Sequence, residues 1–377
     1  MKKVLFLSHA IHRYRKPFHD QVRKNLASEG VDYIVGYGDI SQHDTTKQDT
    51  TVLSWALSRP TKILNIGKIK LFWQPFYREA RSADLVILSQ ENKYVLNYII
   101  QLGRRALFRK VALWGHGRNF QARDTNSTAE RWKRFWAIKA DWWFGYTEET
   151  SRYITSLGFP RNRITVFNNS VDTSELQHQL AGVTGNRLAT LCSEMRLTGR
   201  NVGIFVGGIY PDKRMSFLIE AADHVRSRVP DFELIIIGAG SDLPLVQCLA
   251  EHRSWICVTG PRFGQEKVEL MRLGHVFMMP GLMGLAILDA GVVGLPVATT
   301  AFPWHSPEIA YLQAGYNGVM VEEWENPVAY GNAVTDLLRD VDRRQAMGHA
   351  ARDVSERFSI QAMAENFSQG VLRALEN

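Results

Sequence analysis

Cysteine is scarce. The 377-residue chain has three, Cys192, Cys248 and Cys257, at spacings that make neither a disulfide framework nor a metal-ligand set. A reducing compartment, the cytoplasm, is the expected setting, and no metal site is expected. Long apolar runs are also missing: nothing approaches the roughly 20 uninterrupted apolar residues that a membrane helix needs. The nearest stretch, PGLMGLAILDAGVVGLPVATT (280–300), is broken by Pro280, Asp289 and Pro296. The opening MKKVLFLSHA is too short in its apolar part for a secretory leader and runs at once into His9, His12 and Arg13. It is expected to be a first buried strand. Low-complexity tracts and short-period repeats are absent. So is a full GxGxxG with a downstream acid, which argues against a nicotinamide enzyme. No nucleic-acid-reading motif accompanies the basic composition, so nucleic acid is not an expected partner.

What is present is an ordinary globular composition, 45% hydrophobic and 22% charged, long enough for two cores. The net charge of +7 hides an asymmetry: residues 1–180 hold 28 Lys and Arg against 16 acids, whereas 181–377 hold 17 against 22. A basic N-terminal half suits an anionic partner, such as a phospholipid surface or a diphosphate. The same half carries seven of the ten tryptophans. KIKLFWQPFYR (68–78) and RWKRFWAIK (131–139) interleave basic and aromatic residues, which fits a membrane interface. It fits equally well aromatics that face a core from helices with a basic outer side.

Short β-rich runs alternate with helical patterns, which points to parallel sheets covered by helices. Strands are expected at 4–8, 32–38, 84–89, 110–115, 142–147 and 164–169, with a helix over 94–108. A polar connector then leads to a second series at 203–208, 233–240, 255–260, 275–280, 295–300 and 317–322. The expected organisation is a Rossmann-like domain at 1–180, a linker at 181–200 and a second such domain at 201–355. A helix at 356–377 follows, which can cross back to the first domain.

Within 280–300, Gly284 to Ala290 reads as a helix opened by a glycine-bearing turn. Glycine lets a ligand approach the backbone, and bare N–H groups at a helix start favour phosphate. Asp289, one turn in, could accept hydrogen bonds from a ribose diol, or could merely stabilise the helix start. Lys213, in GGIYPDKRMS (207–216), is placed to pair with a diphosphate. The Gly-x-Gly of IIIGAGSDL (235–243) is read as a tight turn. Asp340-Val341-Asp342 sits in a helical pattern and is read as solvated surface. Glu308 is read as an acid serving a helix dipole.

In their order these pieces resemble the group 1, or family 4, glycosyltransferases of the GT-B fold, over most of the chain. VGGIYPDK (206–213), ELIIIGAG (233–240), GLMGLAILDAGVVGLPVATT (281–300) and NNSVDT (168–173) carry the likeness. The resemblance implies an α/β protein of two facing Rossmann-like, doubly wound domains with mainly parallel sheets. It implies a nucleotide-sugar donor, UDP- or GDP-linked, no cofactor, no metal, and retention of anomeric configuration. It assigns Lys213 to the donor diphosphate, the Gly284 and Leu285 N–H groups to phosphate, and Asp289 to the ribose. His116, in WGHG, is assigned to the reacting sugar, although a structural histidine between glycines is the alternative. After the first strand, His12, Arg13, Arg15 and Lys16 could grip an acceptor phosphate, for example a polyprenyl-diphosphate-linked glycan, or form a solvated basic turn ahead of Pro17.

Two positions depart from the family pattern. Gly281 stands where the first Glu of the paired acids is usual, and Gly208 where an arginine is usual. Arg214 or Arg262 is the expected substitute for that arginine. The expected activity is retaining sugar transfer to a glycan or lipid-linked acceptor, in polysaccharide or lipopolysaccharide assembly, with the protein cytoplasmic or peripheral on the inner membrane face. The rivals are a sugar-nucleotide epimerase of the same fold and a catalytically inactive, membrane-associated GT-B protein.

Overall fold

In the computed structural model, residues 1–39, 51–67, 69–118 and 127–377 are described. They form two compact units, one of Met1–Asp172 with Ile360–Asn377 and one of Thr173–Ser359. The strands among them are β1 (Lys2–Ser8), β2 (Val31–Asp39), β3 (Leu57–Pro60), β4 (Lys62–Ile66), β5 (Ile69–Trp73), β6 (Leu85–Ser89), β7 (Val111–Gly115), β8 (Trp142–Gly145) and β9 (Ile164–Val166) in the first unit. The second unit holds β10 (Asn201–Val206), β11 (Phe232–Ile237), β12 (Ile256–Gly260), β13 (Val276–Met278), β14 (Val297–Thr300) and β15 (Gly318–Val321).

The first unit is built on a parallel sheet in the order β3-β2-β1-β6-β7-β8-β9, and the second on a parallel sheet in the order β12-β11-β10-β13-β14-β15. The strand sequences explain this. FELIII of β11 is buried at every position, as a parallel strand covered on both faces requires. In each sheet the order reverses once, between β1 and β6 and between β10 and β13. Crevices outside the carboxyl ends of strands at such points hold ligands in open α/β sheets.

The last helix, Ile360–Glu376, belongs to the first unit. Its Phe367 is fully buried, with ring centroids 4.5 Å from Phe144, 5.3 Å from Phe18 and 5.3 Å from Trp114. The helix lies so close to the sheet that a Cβ on Gly370 would stand 2.5 Å from Thr165 Oγ1.

Three expectations change. The connector after Asp172 is helical: Ser174–Ala181 is followed by Gly185–Met195, so the expected linker at 181–200 is mostly helix and lies in the second unit. Thr184 starts the later helix by accepting the Arg187 N–H, and Leu191 is buried from it. The helix expected over 94–108 stops at Leu102, where Gly103 turns the chain. KIKLFWQPFYR is not helical over its first half: Ile69–Trp73 is β5, paired antiparallel with β4. There Phe72 stacks on Tyr94 at 5.4 Å and Phe76 is fully buried, while Lys68 lies outside the described residues.

Candidate active site

In the second unit the loop after β10 and the loop after β13 meet at the point of reversal. The first makes a 3-10 turn, Pro211–Lys213, before the helix Met215–Arg228. Leu282 N–H donates to Asp212 O at 2.8 Å, and Lys213 Nζ donates back to Leu282 O at 2.5 Å. Lys213 is buried, with Met279 Sδ 3.5 Å from its ammonium. Burial lowers its pKa to about 8, against the pull of Asp212 in the other direction.

The same zipper accounts for Gly281. A Cβ there would stand 2.2 Å from Asp212 O and 2.7 Å from the Lys213 carbonyl carbon. No acid fits at 281 while the Lys213 loop stays in place, so the departure follows from packing. At Gly208 a Cβ would meet the Tyr210 ring at 2.8 Å. The ring lies where a longer side chain at 208 would begin, and its centroid is 5.5 Å from Lys213 Nζ.

Gly284 is different. A Cβ there would touch Ser306 only at an ordinary 3.5 Å, so packing gives no reason for glycine. It precedes the helix Ala286–Val293, whose start has no side-chain cap. Gly284→Ala should therefore fold with unchanged melting temperature. A nucleotide lying against this backbone would lose about fivefold in affinity, from one close contact worth about 1 kcal/mol. Calorimetric titration checks this; unchanged affinity would remove the turn from the site.

His305 holds the turn in shape and was not foreseen in the sequence. Its Nε2 faces Thr300 O at 2.8 Å and its Nδ1 accepts Met283 N–H at 2.9 Å. The first contact requires a donor and the second an acceptor, so the ring is neutral with the proton on Nε2. Burial, ahead of the Thr300 bond, keeps its pKa below the ordinary value. Thr299 and Thr300 hydroxyls donate to Met279 O and Pro280 O, each at 2.7 Å.

Asp289 lies in the first turn of the helix Ala286–Val293, with Lys267 Nζ 2.6 Å from its Oδ2. Lys267 comes from the helix Gly264–Leu273, and no spacing in the sequence linked the two. Both candidate substitutes for the missing arginine are engaged with other groups of the protein. Arg214 takes a left-handed φ of 57°. Its guanidinium lies 4.1 Å from the Phe217 centroid and 4.9 Å from that of Trp324, and it donates to Trp324 O at 2.5 Å. Arg262 pairs with Glu266 on the surface. Gly238 and Gly240 are structural, as expected: their Cβ atoms would stand 1.9 Å from Gly207 O and 2.1 Å from Ile209 O. Glu308 is buried in the 3-10 turn Pro307–Tyr311, and Asp340 caps a helix by accepting Arg343 N–H.

In the first unit, a cavity of about 220 Å³ opens at the carboxyl ends of β1, β6 and β7, lined among others by His9, His12, Arg15, Glu91, His116 and Lys133. His116 stacks on Tyr146 at 4.0 Å. Burial, then Lys133 and Arg15, lowers its pKa to about 3, so the ring is neutral across the physiological range. His9 Nδ1 lies 2.9 Å from Glu91 Oε1. Burial raises the Glu91 pKa, but the bond and charge of His9, with Lys133 and Lys93, outweigh it and hold the carboxyl below its usual range.

The basic segment after β1 divides. His12 and Arg15 line the cavity, whereas Arg13 and Lys16 are exposed and not among its lining. Arg15 is turned onto the protein's own backbone and side chains: Nη2 donates to Asn169 Oδ1 at 2.5 Å and Nη1 to Ser170 O at 3.4 Å. Lys16 pairs with Asp20 at 2.7 Å. Glu91 and Lys133 escaped the sequence reading. Glu91 stands two residues beyond the end of β6, and attention to strand ends would have found it.

Two parallel-sheet units, each with polar groups gathered at its point of reversal, define the GT-B class. A crystal structure of Anabaena HepE in complex with UDP superposes with a TM-score of 0.71 at 13% identity, over 99% of this chain and 100% of that one, a likeness that shows the fold. Residues 200–340 match the family model for glycosyl transferases group 1. A spore coat protein SA of Bacillus subtilis is 25% identical over 46% of this chain and 49% of its own length. A GDP-mannose-dependent alpha-(1-6)-phosphatidylinositol monomannoside mannosyltransferase of Mycolicibacterium smegmatis is 30% identical over 48% of this chain and 51% of its own. The chain spans about half the length of the curated relatives it matches. Among the described residues, no helix is long and apolar enough to cross a membrane.

Proposed function

We propose that this protein is a retaining, metal-independent glycosyltransferase that moves a sugar from a nucleotide diphosphate to a glycan or lipid-linked acceptor. One observation carries the reading: Lys213 holds a buried ammonium at the reversal point of the second sheet, beside a glycine turn that packing does not require. Such a cation and the nearby amides would bind the donor diphosphate and stabilise the charge that builds on it as it leaves. The acceptor oxygen bonds to the anomeric carbon from the face the diphosphate vacates. The bond from that carbon to the phosphate oxygen breaks, and the hydroxyl proton passes to that oxygen. Retention follows, and no protein nucleophile is needed. His116, neutral at working pH, is suited to hydrogen-bonding a sugar hydroxyl and not to acting as a cationic acid,. Asp289, tied to Lys267, presents a charge-balanced carboxylate to the ribose.

The acceptor reading rests on the first-unit cavity, lined by His12 and Lys133, with the Arg15 guanidinium, bonded to Asn169 and Ser170, lending its charge to the same wall. With it we place the protein in polysaccharide or lipid-linked oligosaccharide assembly at an anionic membrane face.

Thermal unfolding with UDP, GDP and their sugars tests the donor site, and at least one should raise the melting temperature. If none does, the donor reading fails and the inactive-scaffold alternative gains. With the active donor, EDTA should leave the rate unchanged, and NMR of the product should show the donor's anomeric configuration. Loss of activity in EDTA with recovery on adding magnesium would overturn metal independence.

A further inference from the structure

We infer that the exposed face of the helix Thr128–Ala137 and the residues just after it docks on a bilayer of anionic phospholipid, an inference that rests on the lipid-linked reading above. Trp132, Phe135 and Ile138 are 49%, 53% and 44% exposed, at positions that share one side of the helix. Leu102, 69% exposed, ends a neighbouring helix that is tied alongside: Gln101 Nε2 donates to Trp136 O at 3.0 Å and Lys139 O at 3.2 Å.

A helix needs one apolar face for its own core, and this one has it. Trp136 and Ala137 are buried on the inner side, and Trp136 meets Tyr98 at 4.8 Å. The three outer apolar side chains nonetheless leave about half of their surface to solvent. The two rings are also pre-set: Trp132 Nε1 donates to Tyr98 OH at 2.9 Å, and Lys139 Nζ stands 4.4 Å from the Phe135 centroid.

Charge selects the occupant. Arg131, Arg134 and Lys139 interleave with the outer apolar residues. Glu130, the one acid between 127 and 140 in the sequence, is buried. Half-wet aromatic rings among cations of one sign match the boundary between acyl chains and anionic headgroups. A symmetric contact with a second copy would set these cations against each other. The other basic-aromatic stretch of the first unit shows the contrast. Phe72 stacks on Tyr94 and Phe76 is fully buried, so those aromatics serve the fold.

The test is sedimentation of the full chain with vesicles of phosphatidylglycerol mixed with phosphatidylcholine, against vesicles of phosphatidylcholine alone. Binding is expected to the first only, weakening as salt rises. Trp132→Glu with Phe135→Glu should reduce it by about tenfold or more, and so should Arg131→Glu with Lys139→Glu. Unchanged melting temperature and near-ultraviolet circular dichroism would show that both variants fold. Nucleotide-induced thermal shifts, read without vesicles, should be the same in wild type and variants, so failure of the donor reading is seen separately. Equal binding to both vesicle types, undiminished binding by the variants, or a wild-type dimer that the Trp132→Glu variant dissociates would each overturn the proposal.

Discussion

Replacing Lys213 by alanine is expected to lower turnover by about a hundredfold, with a smaller effect on donor affinity. Removing one preorganised donor aimed at developing negative charge costs about 10²–10³ in kcat. Lys213 suits that role because its ammonium is already out of water and held by Leu282 O, so it needs no reorientation when the diphosphate leaves. Alanine would also leave the Leu282 carbonyl without this partner, a cost of about 1–3 kcal/mol if it stays buried. Lys213→Met, which preserves most of the volume, separates folding from chemistry. Turnover unchanged in both variants, with normal melting, would remove Lys213 from the mechanism.

The same group sets a pH dependence. The folded pKa of about 8 lies below the ordinary lysine value of 10.5. Above pH 8 the unfolded chain therefore holds more protons than the folded one, and this residue's contribution to stability rises with pH until about 10.5. Activity moves the other way, because a neutral amine offers no charge to the departing diphosphate. For wild type, kcat/KM should fall as pH passes about 8. The limb in kcat should lie higher, since a bound diphosphate favours the ammonium. Lys213→Ala should lack this limb.

Gly281→Glu, which installs the acid usual in the family, is expected to reduce activity about as severely as loss of Lys213. The added Cβ would stand 2.2 Å from Asp212 O, so the Lys213 turn must move. Overpacking against backbone costs typically about 1–3 kcal/mol. A displaced ammonium would no longer stand on the leaving oxygen, and misplacement by an ångström is worth about 10² in rate. Melting temperature and kcat measured together check this. A variant that melts normally and turns over faster would show that the two loops are not locked as described.

The places of several candidate residues in the fold were legible because they are local. Lys213, Gly284 and Leu285 lie in the loops that follow β10 and β13, strands that hydrophobic patterning marks, and Asp289 lies in the helix that the second loop opens. The helix Gly185–Met195 was not, since a short polar helix with one buried leucine has almost no periodic signal. Sequence position alone suggests a ligand-facing role for Arg15 and Arg214, because arginine in a loop after a strand usually meets solvent or an anion. Their actual partners, Asn169 and Trp324, are 154 and 110 residues away, and nothing local names them.

From sequence alone came the fold class, two runs of buried parallel strands and the places of Lys213 and the Gly284 turn in the loops after β10 and β13, because strand burial and loop position are written in short patterns. Only the tertiary structure showed that Gly281 is a packing requirement, that Asp289 is paired with Lys267, that His305 is a neutral brace, and that Trp132 faces outward while Phe76 faces in. Each of those depends on which atoms of distant segments come within a few ångströms. That distance is set when sheets and helices close on one another, not by the neighbours along the chain.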